Sequence, residues 1–240
     1  MLLLGVVGHP VGHSLSPQLH NWALRHAGIP GAYHAWDIAP HDLTAFVQAV
    51  RLLPIHGVSV TIPHKETILT LADTATAEAR AECAPNTLFR QEVQLLADNT
   101  DRNGFMAPIA QIPPGRALVL GAGGAARAAV YGLRQCGWQV RVTAKNLTRT
   151  HTLAAHLDAE AAAWEDRTTL HFDLLVNATP LGMRGEQEHR SPWEAALPAS
   201  VTVYDMIYTP DPTRLLRHAQ GCGCTTISGL AMFVAQAQAQ

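Results

Sequence analysis

Residues 119–127 read Val-Leu-Gly-Ala-Gly-Gly-Ala-Ala-Arg, an apolar run that leads into closely spaced glycines and then into alanine-rich sequence. This order is typical of a turn between a buried strand and a helix that binds a dinucleotide. We expect Gly121 to make the tight turn and Gly123 to let the backbone approach a pyrophosphate, which the N-terminus of the following helix attracts. The stretch therefore predicts a cofactor site.

The sequence around this turn predicts a strand-helix-strand unit. Residues 117–120 form an apolar run, residues 125–135 have a helical pattern that ends near Gly137, and residues 138–143 alternate polar and apolar side chains. These segments fit within the roughly 30 residues that such a unit needs. Flexible loops use the same glycines, but the flanking strand and helix favour the nucleotide-binding interpretation.

Basic residues follow the second strand of this unit. Lys145 and Arg149 come just after residue 143, and no acidic residue occurs between Gly121 and Asp158. NAD-binding proteins usually place an acid there on the ribose hydroxyls, and such an acid would repel a 2′-phosphate, whereas Lys and Arg attract one. The sequence therefore favours NADP over NAD, with a solvated basic loop as the alternative interpretation.

Length and charge exclude several classes of function. The chain has 240 residues and a formal net charge of −2, without a basic stripe or a block of like charges. We expect two modest domains, and we expect neither nucleic acid nor a membrane surface as a partner. A small-molecule substrate remains.

Targeting and metal-binding signals are weak. Residues 1–7 are apolar but lack a basic leader, so they predict a first β-strand rather than a signal peptide. No run approaches the roughly 18 apolar residues of a membrane span. Because the four cysteines also lack disulfide-framework spacing, we expect a soluble, cytoplasmic protein. Cys222 and Cys224 lie near His218, but no second ligand pair accompanies them, so we expect no metal.

Strands and helices alternate along the rest of the chain, which predicts an α/β fold. Before the glycine turn, the pattern indicates strands at 2–7, 33–37 and 57–62, helices at 17–27 and 42–52, and a strand-rich stretch at 88–97. Residues 112–115, Ile-Pro-Pro-Gly, mark a boundary or hinge. Beyond the turn, the pattern indicates helices at 148–156, 212–220 and from 229, and strands at 174–177 and 201–204.

Two serines follow the first predicted strand. In Gly-His-Pro-Val-Gly-His-Ser-Leu-Ser-Pro, residues 8–17, Ser16 is placed to cap a helix that has Pro17 at its first position. Capping does not require Ser14. Two hydroxyls at a helix N-terminus form a suitable seat for a substrate carboxylate.

Lys65 is a candidate proton donor. It follows the strand and proline of Ser-Val-Thr-Ile-Pro-His-Lys-Glu, residues 59–66, and Lys145 is the only other lysine. Hydride reduction of a ketone leaves an alkoxide that must receive a proton, and a positioned ammonium stabilises that charge and donates the proton. If Asp101 faces Lys65, the pair holds the ammonium in place, while Thr61 and Asn86 read hydroxyls on a polar ring. Simple turns would also explain the polar clusters at 84–87 and 98–101.

With these motifs, the chain resembles the shikimate dehydrogenase family. The resemblance covers essentially its full length. Eight motifs stand in family order: residues 8–17, 60–65, 86–87, 98–101, 121–125, 177–183 (Asn-Ala-Thr-Pro-Leu-Gly-Met), 204–208 (Tyr-Asp-Met-Ile-Tyr) and 229–232 (Gly-Leu-Ala-Met) with Gln236. The resemblance implies reversible reduction of 3-dehydroshikimate to shikimate with NADPH, on the route through chorismate to the aromatic amino acids. It leaves open whether the chain forms a homodimer.

The resemblance also implies the roles of individual residues. Lys65 and Asp101 would be the catalytic pair. Substrate contacts would come from both catalytic residues and from Ser14, Ser16, Thr61, Asn86, Tyr208 and Gln236. The cofactor would be held by Gly121, Ala122, Gly123, Gly124, Ala125, Lys145, Arg149, Met206 and Gly229, with Met183 near the nicotinamide.

The family fold implies two domains with a catalytic cleft between them. An N-terminal α/β substrate domain would span residues 1–101, and a Rossmann-like NADP-binding domain would span residues 102–228. The last helix, residues 229–240, would return to the first domain.

Some positions depart from the family pattern. Ser59 stands where Asn is usual, which would shorten, hydrate or remove one ring-hydroxyl contact. The usual Asn-Arg-Thr after the second nucleotide strand is Ala144-Lys145-Asn146, which keeps a charge but loses a planar guanidinium. Two alternatives therefore stay open: a quinate/shikimate dehydrogenase that uses NAD, and a catalytically silent binding relative. The presence of both Lys65 and Asp101 argues against the silent relative.

Overall fold

A computed structural model describes all 240 residues, and its contacts divide the chain into two units. The first unit comprises residues 1–100 together with Gln240, and the second comprises residues 101–239. Each unit is built from strands and helices that alternate along the chain. The predicted α/β class is confirmed.

The first unit contains six strands and four helices. The strands are β1 (Leu2–Gly8), β2 (Gly31–Asp37), β3 (Gly57–Val60), β4 (Thr74–Ala75), β5 (Thr87–Gln91) and β6 (Gln94–Asp98). The helices are α1 (Ser16–His26), α2 (Leu43–Leu52), α3 (Lys65–Leu71) and α4 (Ala77–Glu82), and a short 3-10 helix spans Pro40–Asp42.

The sheet of this unit is mixed. Its strand order is β2-β1-β3-β5-β6-β4, with β1 parallel to β2 and β3, and β5 antiparallel to both of its neighbours. Successive side chains of β1 point to opposite faces of the sheet, so Val6 and Val7 belong to different apolar clusters. Val7 packs with Leu43 of α2 and Ile68 of α3, and Val6 packs with Tyr33.

The second unit contains six strands and five helices. The strands are β7 (Arg116–Leu120), β8 (Gln139–Thr143), β9 (Glu160–Ala162), β10 (Leu174–Asn177), β11 (Thr202–Asp205) and β12 (Thr225–Ser228). The helices are α5 (Asp101–Met106), α6 (Gly124–Gln135), α7 (Leu147–His156), α8 (Arg214–Gly221) and α9 (Gly229–Ala239), with 3-10 helices at Ala107–Ile109 and Glu165–Thr169.

The sheet of the second unit is parallel throughout. Its order, β12-β11-β10-β7-β8-β9, is the order of a doubly wound dinucleotide-binding sheet. The strand order reverses at β7: β8 and β9 follow on one side, and β10 to β12 follow on the other. Ligands of such sheets bind beyond the carboxyl ends of the strands at this reversal. Apolar side chains cover both faces, including Leu133 and Leu153 on one face and Leu215 and Trp193 on the other.

Gly121 occupies the reversal point at the end of β7. Its φ angle is 122°, a region that residues with a Cβ rarely adopt, and a Cβ built there would lie 2.8 Å from the carbonyl oxygen of Ala178. Gly121 N–H donates to Thr143 O at 2.8 Å, which ties the turn to the end of β8. The predicted tight turn at Gly121 is confirmed.

Most predicted elements are present, with shifts of one or two residues at their ends. The two outermost strands of the second sheet, β9 and β12, were not predicted. Both are short, and β12 (Thr-Thr-Ile-Ser) lacks the run of apolar residues that indicates a buried strand. The strand-rich stretch is the antiparallel pair β5 and β6.

Helix α9 packs on α5. Contacts group residues 229–239 with the second unit and Gln240 with the first. The expectation that residues 229–240 return to the substrate domain stays a prediction. None of the helices is both long enough and apolar enough to cross a membrane.

We expect Gly121→Ala to lower the free energy of unfolding by about 1–3 kcal/mol, because the new Cβ would collide with Ala178 O and the backbone angle would be strained. Gly12→Ala is the control: no atom lies within 4 Å of a Cβ built there and its φ angle is not positive, so its change should stay within about 0.5 kcal/mol. Urea unfolding of both variants measures the difference. Equal effects would refute the steric argument.

Candidate active site

The predicted site residues form two groups, one in each unit. In the first unit, Ser14 and Ser16 follow β1, Thr61 and Lys65 follow β3, and Asn86 precedes β5. Because β5 runs antiparallel to β3, its beginning meets the end of β3, and the peptide N–H of Val60 donates to Asn86 O at 2.6 Å. The structure therefore brings these residues to one edge of the first sheet.

The serines after β1 differ from the expected capping arrangement. Helix α1 begins at Ser16 itself, and the Oγ of Ser14 accepts a hydrogen bond from Ser16 N–H at 3.2 Å. The prediction that Ser16 is the cap was wrong, because the hydroxyl two residues earlier reaches this N–H in a local serine turn. The hydroxyl of Ser16 instead forms a hydrogen bond with the hydroxyl of Tyr33.

The sequence analysis did not predict Tyr33, whose backbone and hydroxyl are both held by hydrogen bonds near these residues. The side chain of Asn21 accepts from Tyr33 N–H at 2.9 Å and donates to Tyr33 O at 2.8 Å, so α1 clamps the backbone of β2. The Tyr33 hydroxyl donates to Ser59 Oγ at 2.6 Å. Burial raises the pKa of Tyr33 to about 12, so the group stays a neutral hydroxyl.

The side chain of Gln240 extends this series of side-chain hydrogen bonds. Ser59 Oγ donates to Gln240 Oε1 at 2.8 Å, and Gln240 Nε2 donates to Thr87 Oγ1 at 3.1 Å. Thr87 Oγ1 donates to Asn86 Oδ1 at 2.9 Å. A continuous line of hydrogen bonds thus joins Ser16 to Asn86, and the carboxamide of Gln240 lies against the short side chain of Ser59.

Asn86 is buried and held by Thr100. Its Nδ2 donates to Thr100 Oγ1 at 3.0 Å, and its Oδ1 accepts from Thr100 N–H at 2.9 Å. The neighbouring Asn99 donates to Ala84 O at 2.8 Å and to Glu82, which is also buried. These contacts fix the orientation of the Asn86 amide, whose O and N positions would otherwise be interchangeable.

Lys65 is the first residue of α3 and is half-buried. The preceding His64 is buried, and its Nε2 contacts Ile38 O at 2.8 Å. Burial lowers the pKa of His64, so it remains neutral near pH 7 and leaves Lys65 as the cation of this segment. The anchored histidine fixes the start of the helix that carries Lys65.

In the second unit, three predicted residues lie close to the packing of α5 on α9. Asp101 is buried in the first turn of α5. One turn later, a Cβ built at Gly104 would lie 2.7 Å from the Cβ of Gln236, so the helices approach closely there. The Tyr208 ring stacks on Phe233, at 4.6 Å between centroids, and Phe233 precedes Gln236 by three residues on the same helix face.

The glycine turn forms an open cradle at the N-terminus of α6. Gly123 is the residue before the helix, and no side chain caps the helix there. A Cβ built on Gly123 would have no atom within 4 Å, whereas the same atom on Gly121 would meet Ala178. Ala122, Gly124 and Ala125 complete the turn, so uncapped backbone N–H groups and the positive end of the helix dipole lie beside free space.

Basic side chains stand at the next strand end. Asn146 caps α7 by accepting from Arg149 N–H at 3.0 Å, which places Arg149 in the first turn of that helix. Lys145 precedes the cap and is exposed. Together with the glycine cradle, these residues fit a dinucleotide that carries a 2′-phosphate.

The remaining predicted cofactor residues follow β10, β11 and β12. A Cβ built on Gly229 would lie 2.4 Å from Met206 O, so the start of α9 touches the backbone after β11. Met183 belongs to the loop after β10, and the N–H of the next residue, Arg184, donates to Thr209 O at 3.0 Å. The strand ends therefore carry interlocked loops.

Asp205, at the end of β11, is fully buried and has strong hydrogen-bond partners. Its Oδ1 accepts from Asn177 Nδ2 at 2.9 Å and from Ile207 N–H at 3.1 Å, and its Oδ2 accepts from Thr213 Oγ1 at 2.7 Å. Burial raises the pKa of Asp205 to about 6, against the opposing effect of these donors.

Comparisons with known proteins identify the family of the chain. A protein-family model described as "Shikimate dehydrogenase substrate binding domain" matches residues 6–88. The "Shikimate dehydrogenase (NADP(+))" of Pelobacter propionicus is 47% identical over 245 residues, which cover 99% of this chain and 88% of that protein. The chain belongs to the shikimate dehydrogenase family.

Solved structures of this family and of a related enzyme are similar throughout. Shikimate 5-dehydrogenase from Thermus thermophilus, in complex with NADP(H) and shikimate, is 37% identical with a TM-score of 0.88, covering 99% of this chain and 90% of that one. Quinate dehydrogenase from Corynebacterium glutamicum, in complex with NAD, is 27% identical with a TM-score of 0.89, covering 98% and 90%. The fold of both units is thus the shikimate dehydrogenase fold.

Several polar residues near the family motifs escaped sequence reasoning. They are Tyr33, Glu82, Thr213 and Gln240, whose partners lie between 8 residues away, for Thr213, and 181 residues away, for Gln240. A threonine directly before a helix is a capping signal, so Thr213 was detectable as a cap but not as a partner of Asp205. As for metal sites, no group of three or more His, Cys, Asp or Glu side chains is arranged to hold an ion.

We expect the stability that Asp205 contributes to fall as pH rises. Because the pKa of Asp205 is raised from 3.8 to about 6, the folded state binds a proton more readily than the unfolded state between these values. The free energy of unfolding of the wild type, relative to Asp205→Asn, should therefore decrease by about 1–3 kcal/mol between pH 4 and pH 7.

Urea unfolding of wild type and variant at both pH values measures this difference. Asp166→Asn, at an exposed position of the same unit, is the control for a general charge effect. A free energy of unfolding of the wild type that increases with pH, relative to Asp205→Asn, would contradict the expected sign.

Proposed function

We propose that this chain is an NADP-dependent shikimate dehydrogenase, which catalyses the reversible reduction of 3-dehydroshikimate to shikimate with NADPH. The observation that carries the proposal is the full-length similarity to proteins of that name, 47% identical over 99% of the chain in one case. A similar structure holds NADP(H) and shikimate. The reaction belongs to the route through chorismate to the aromatic amino acids.

The nucleotide domain of the proposal is residues 102–228, within the second unit. Gly121, Ala122, Gly123, Gly124 and Ala125 are proposed to hold the pyrophosphate with backbone N–H groups, a role that the open space beside Gly123 supports. Lys145 and Arg149 attract the 2′-phosphate, Met206 and Gly229 help to hold the cofactor, and Met183 lies near the nicotinamide. The bound cofactor supplies the hydride.

The substrate domain of the proposal is residues 1–101, joined functionally by residues 229–240. Ser14 and Ser16 bind the carboxylate of the substrate, and Thr61 and Asn86 bind ring hydroxyls. Tyr208 and Gln236 complete the proposed contacts. The fixed orientation of the Asn86 amide supports its role, because a preoriented amide distinguishes donors from acceptors on the ring.

Lys65 is proposed as the proton donor of the reduction. As the carbonyl is reduced, its oxygen becomes an alkoxide, and the ammonium of Lys65 stabilises that charge and transfers a proton to it. Asp101 is the proposed acidic member of the catalytic pair, which favours the charged lysine. The neutral His64 beside Lys65 leaves one cation for this task.

We expect Lys65→Ala to lower kcat for 3-dehydroshikimate reduction by about 10²–10⁴-fold, because general acid catalysis is lost. The dissociation constant of shikimate should change far less, since the serines, Thr61 and Asn86 remain. Absorbance at 340 nm gives the turnover and calorimetry gives the binding. Thr67→Ala, an exposed residue of the same helix, is the control. Near-native turnover of Lys65→Ala would remove it from the proposed mechanism.

A quinate/shikimate dehydrogenase that uses NAD is the second candidate, favoured by the similarity to a quinate dehydrogenase in complex with NAD. The absence of an acid between Gly121 and Asp158 supports NADP instead. A catalytically silent relative is the third candidate. Binding of both NADPH and shikimate by the wild type, without turnover, would establish it.

We expect the double variant Lys145→Ala/Arg149→Ala to reduce the preference for NADPH over NADH by at least about tenfold, because two attractive charges on the 2′-phosphate are removed. The ratio of kcat/KM for the two cofactors measures the preference, with shikimate and quinate both assayed. Arg25→Ala, an exposed arginine of the first unit, controls for net charge. An unchanged ratio would show that other residues select the cofactor.

We further propose a cytoplasmic location. A homodimer is the assembly that the family resemblance leaves open. Four free cysteines support a reducing compartment. The proposed ligands are small molecules, and the formal net charge of −2 gives no support to nucleic acid or a membrane surface as a partner.

A further inference from the structure

Two loops leave the carboxyl ends of the adjacent strands β10 and β11. Loop A is residues 178–184 and carries Met183, and loop B is residues 206–213 and carries Met206 and Tyr208. The loops touch: Arg184 N–H donates to Thr209 O at 3.0 Å, and a Cβ built on Gly182 would lie 3.8 Å from both Ile207 and Thr213. Proposed cofactor and substrate contacts thus lie on one loop pair.

A buried network joins the bases of the loops. Asn177 ends β10, and its Oδ1 accepts from Thr179 N–H at 3.0 Å and from Thr179 Oγ1 at 2.7 Å, while its Nδ2 donates to Leu181 O at 3.3 Å. The same Nδ2 donates to Asp205 Oδ1. Asn177 therefore shapes loop A and links it to Asp205.

Asp205 shapes loop B through hydrogen bonds at both ends of the loop. It accepts from Ile207 N–H at the start of the loop and from Thr213 Oγ1 at its end, and Thr213 Oγ1 also accepts from Leu216 N–H at 3.2 Å to cap α8. Asp205 is 0% exposed, so the carboxylate cannot reach a ligand. A buried carboxylate is costly unless donors surround it, and here three donors from both loop bases do so.

We propose that Asp205 is a positioning residue, whose carboxylate fixes loops A and B in the arrangement that binds the nicotinamide end of the cofactor. The proposal rests on the proposed NADP-dependent function. Asn at this position has the same shape but one acceptor oxygen, so one of the three donors must face an amide N–H. The charged acceptor would then become a neutral one, and the Thr213 hydroxyl could keep its contact with an amide N–H only by reversing from donor to acceptor.

The test compares Asp205→Asn with the pair Thr213→Val and Thr213→Ser. Valine removes the hydroxyl that donates to Asp205, and serine keeps it. We expect Asp205→Asn and Thr213→Val to raise the dissociation constant of NADPH about tenfold and to lower kcat about 10–100-fold, because small displacements of positioning groups have effects of that size. Thr213→Ser should keep both the dissociation constant of NADPH and kcat within about twofold of the wild-type values.

Shikimate binding separates a positioning role from general damage. Four of the six proposed substrate contacts outside the catalytic pair lie in the first unit, so the dissociation constant of shikimate should change less than about threefold. Thr169→Val, an exposed hydroxyl of the same unit, is the matched control. NADPH fluorescence and calorimetry give the two constants, and circular dichroism and thermal unfolding report the fold.

Variants that lose thermal stability but keep wild-type NADPH affinity and kcat below their melting temperature would overturn the proposal. If Asp205→Asn does not fold, the valine and serine pair decides, and equal behaviour of these two would also overturn it. A wild type that neither binds NADPH nor reduces 3-dehydroshikimate would instead refute the proposed function.

Discussion

The close approach of Gly121 to the carbonyl of Ala178 is the constraint on which the nucleotide unit depends. It lets β7 and β10 end side by side while the chain turns away into α6, and a side chain at position 121 would force these strands apart. The residue before α6, Gly123, has no side-chain cap, and no atom lies within 4 Å of a Cβ built on it. One backbone contact thus fixes where β7 ends and α6 begins.

The sequence predicted most of the fold because its apolar periodicity and glycine turn are local signals. The helix and strands around residues 117–143 lie within a residue or two of their expected ends. Strands β9 and β12 escaped because short edge strands are held by backbone pairing with one neighbour, which side-chain patterns do not report. The Ser16 cap was wrong for a related reason: two hydroxyls near one helix start offer competing local hydrogen bonds.

The candidate site was predictable where motifs carry chemistry, and less so where a side chain acts through a distant partner. Lys65, Asn86 and the glycine turn are recognisable from their neighbours in the chain. Tyr33 and Gln240 are not, because nothing near them in sequence indicates that the hydroxyl of Ser59 joins them. Ser59 appeared to be a loss relative to the family pattern, whereas the carboxamide of Gln240 supplies polar groups beside it. Such a contact between residues far apart in the chain depends on tertiary structure and cannot be read from one position.

The placement of the lysines has a practical consequence. Apart from the N-terminal amine, the chain presents two primary amines, one at the start of α3 in the first unit and one after β8 in the second. A reagent that acylates amines therefore reports on each unit through a single peptide, without any mutation. Protection of one peptide by the acid substrate and of the other by the nucleotide would map ligand occupancy of the two halves independently, in a single mass-spectrometric footprint.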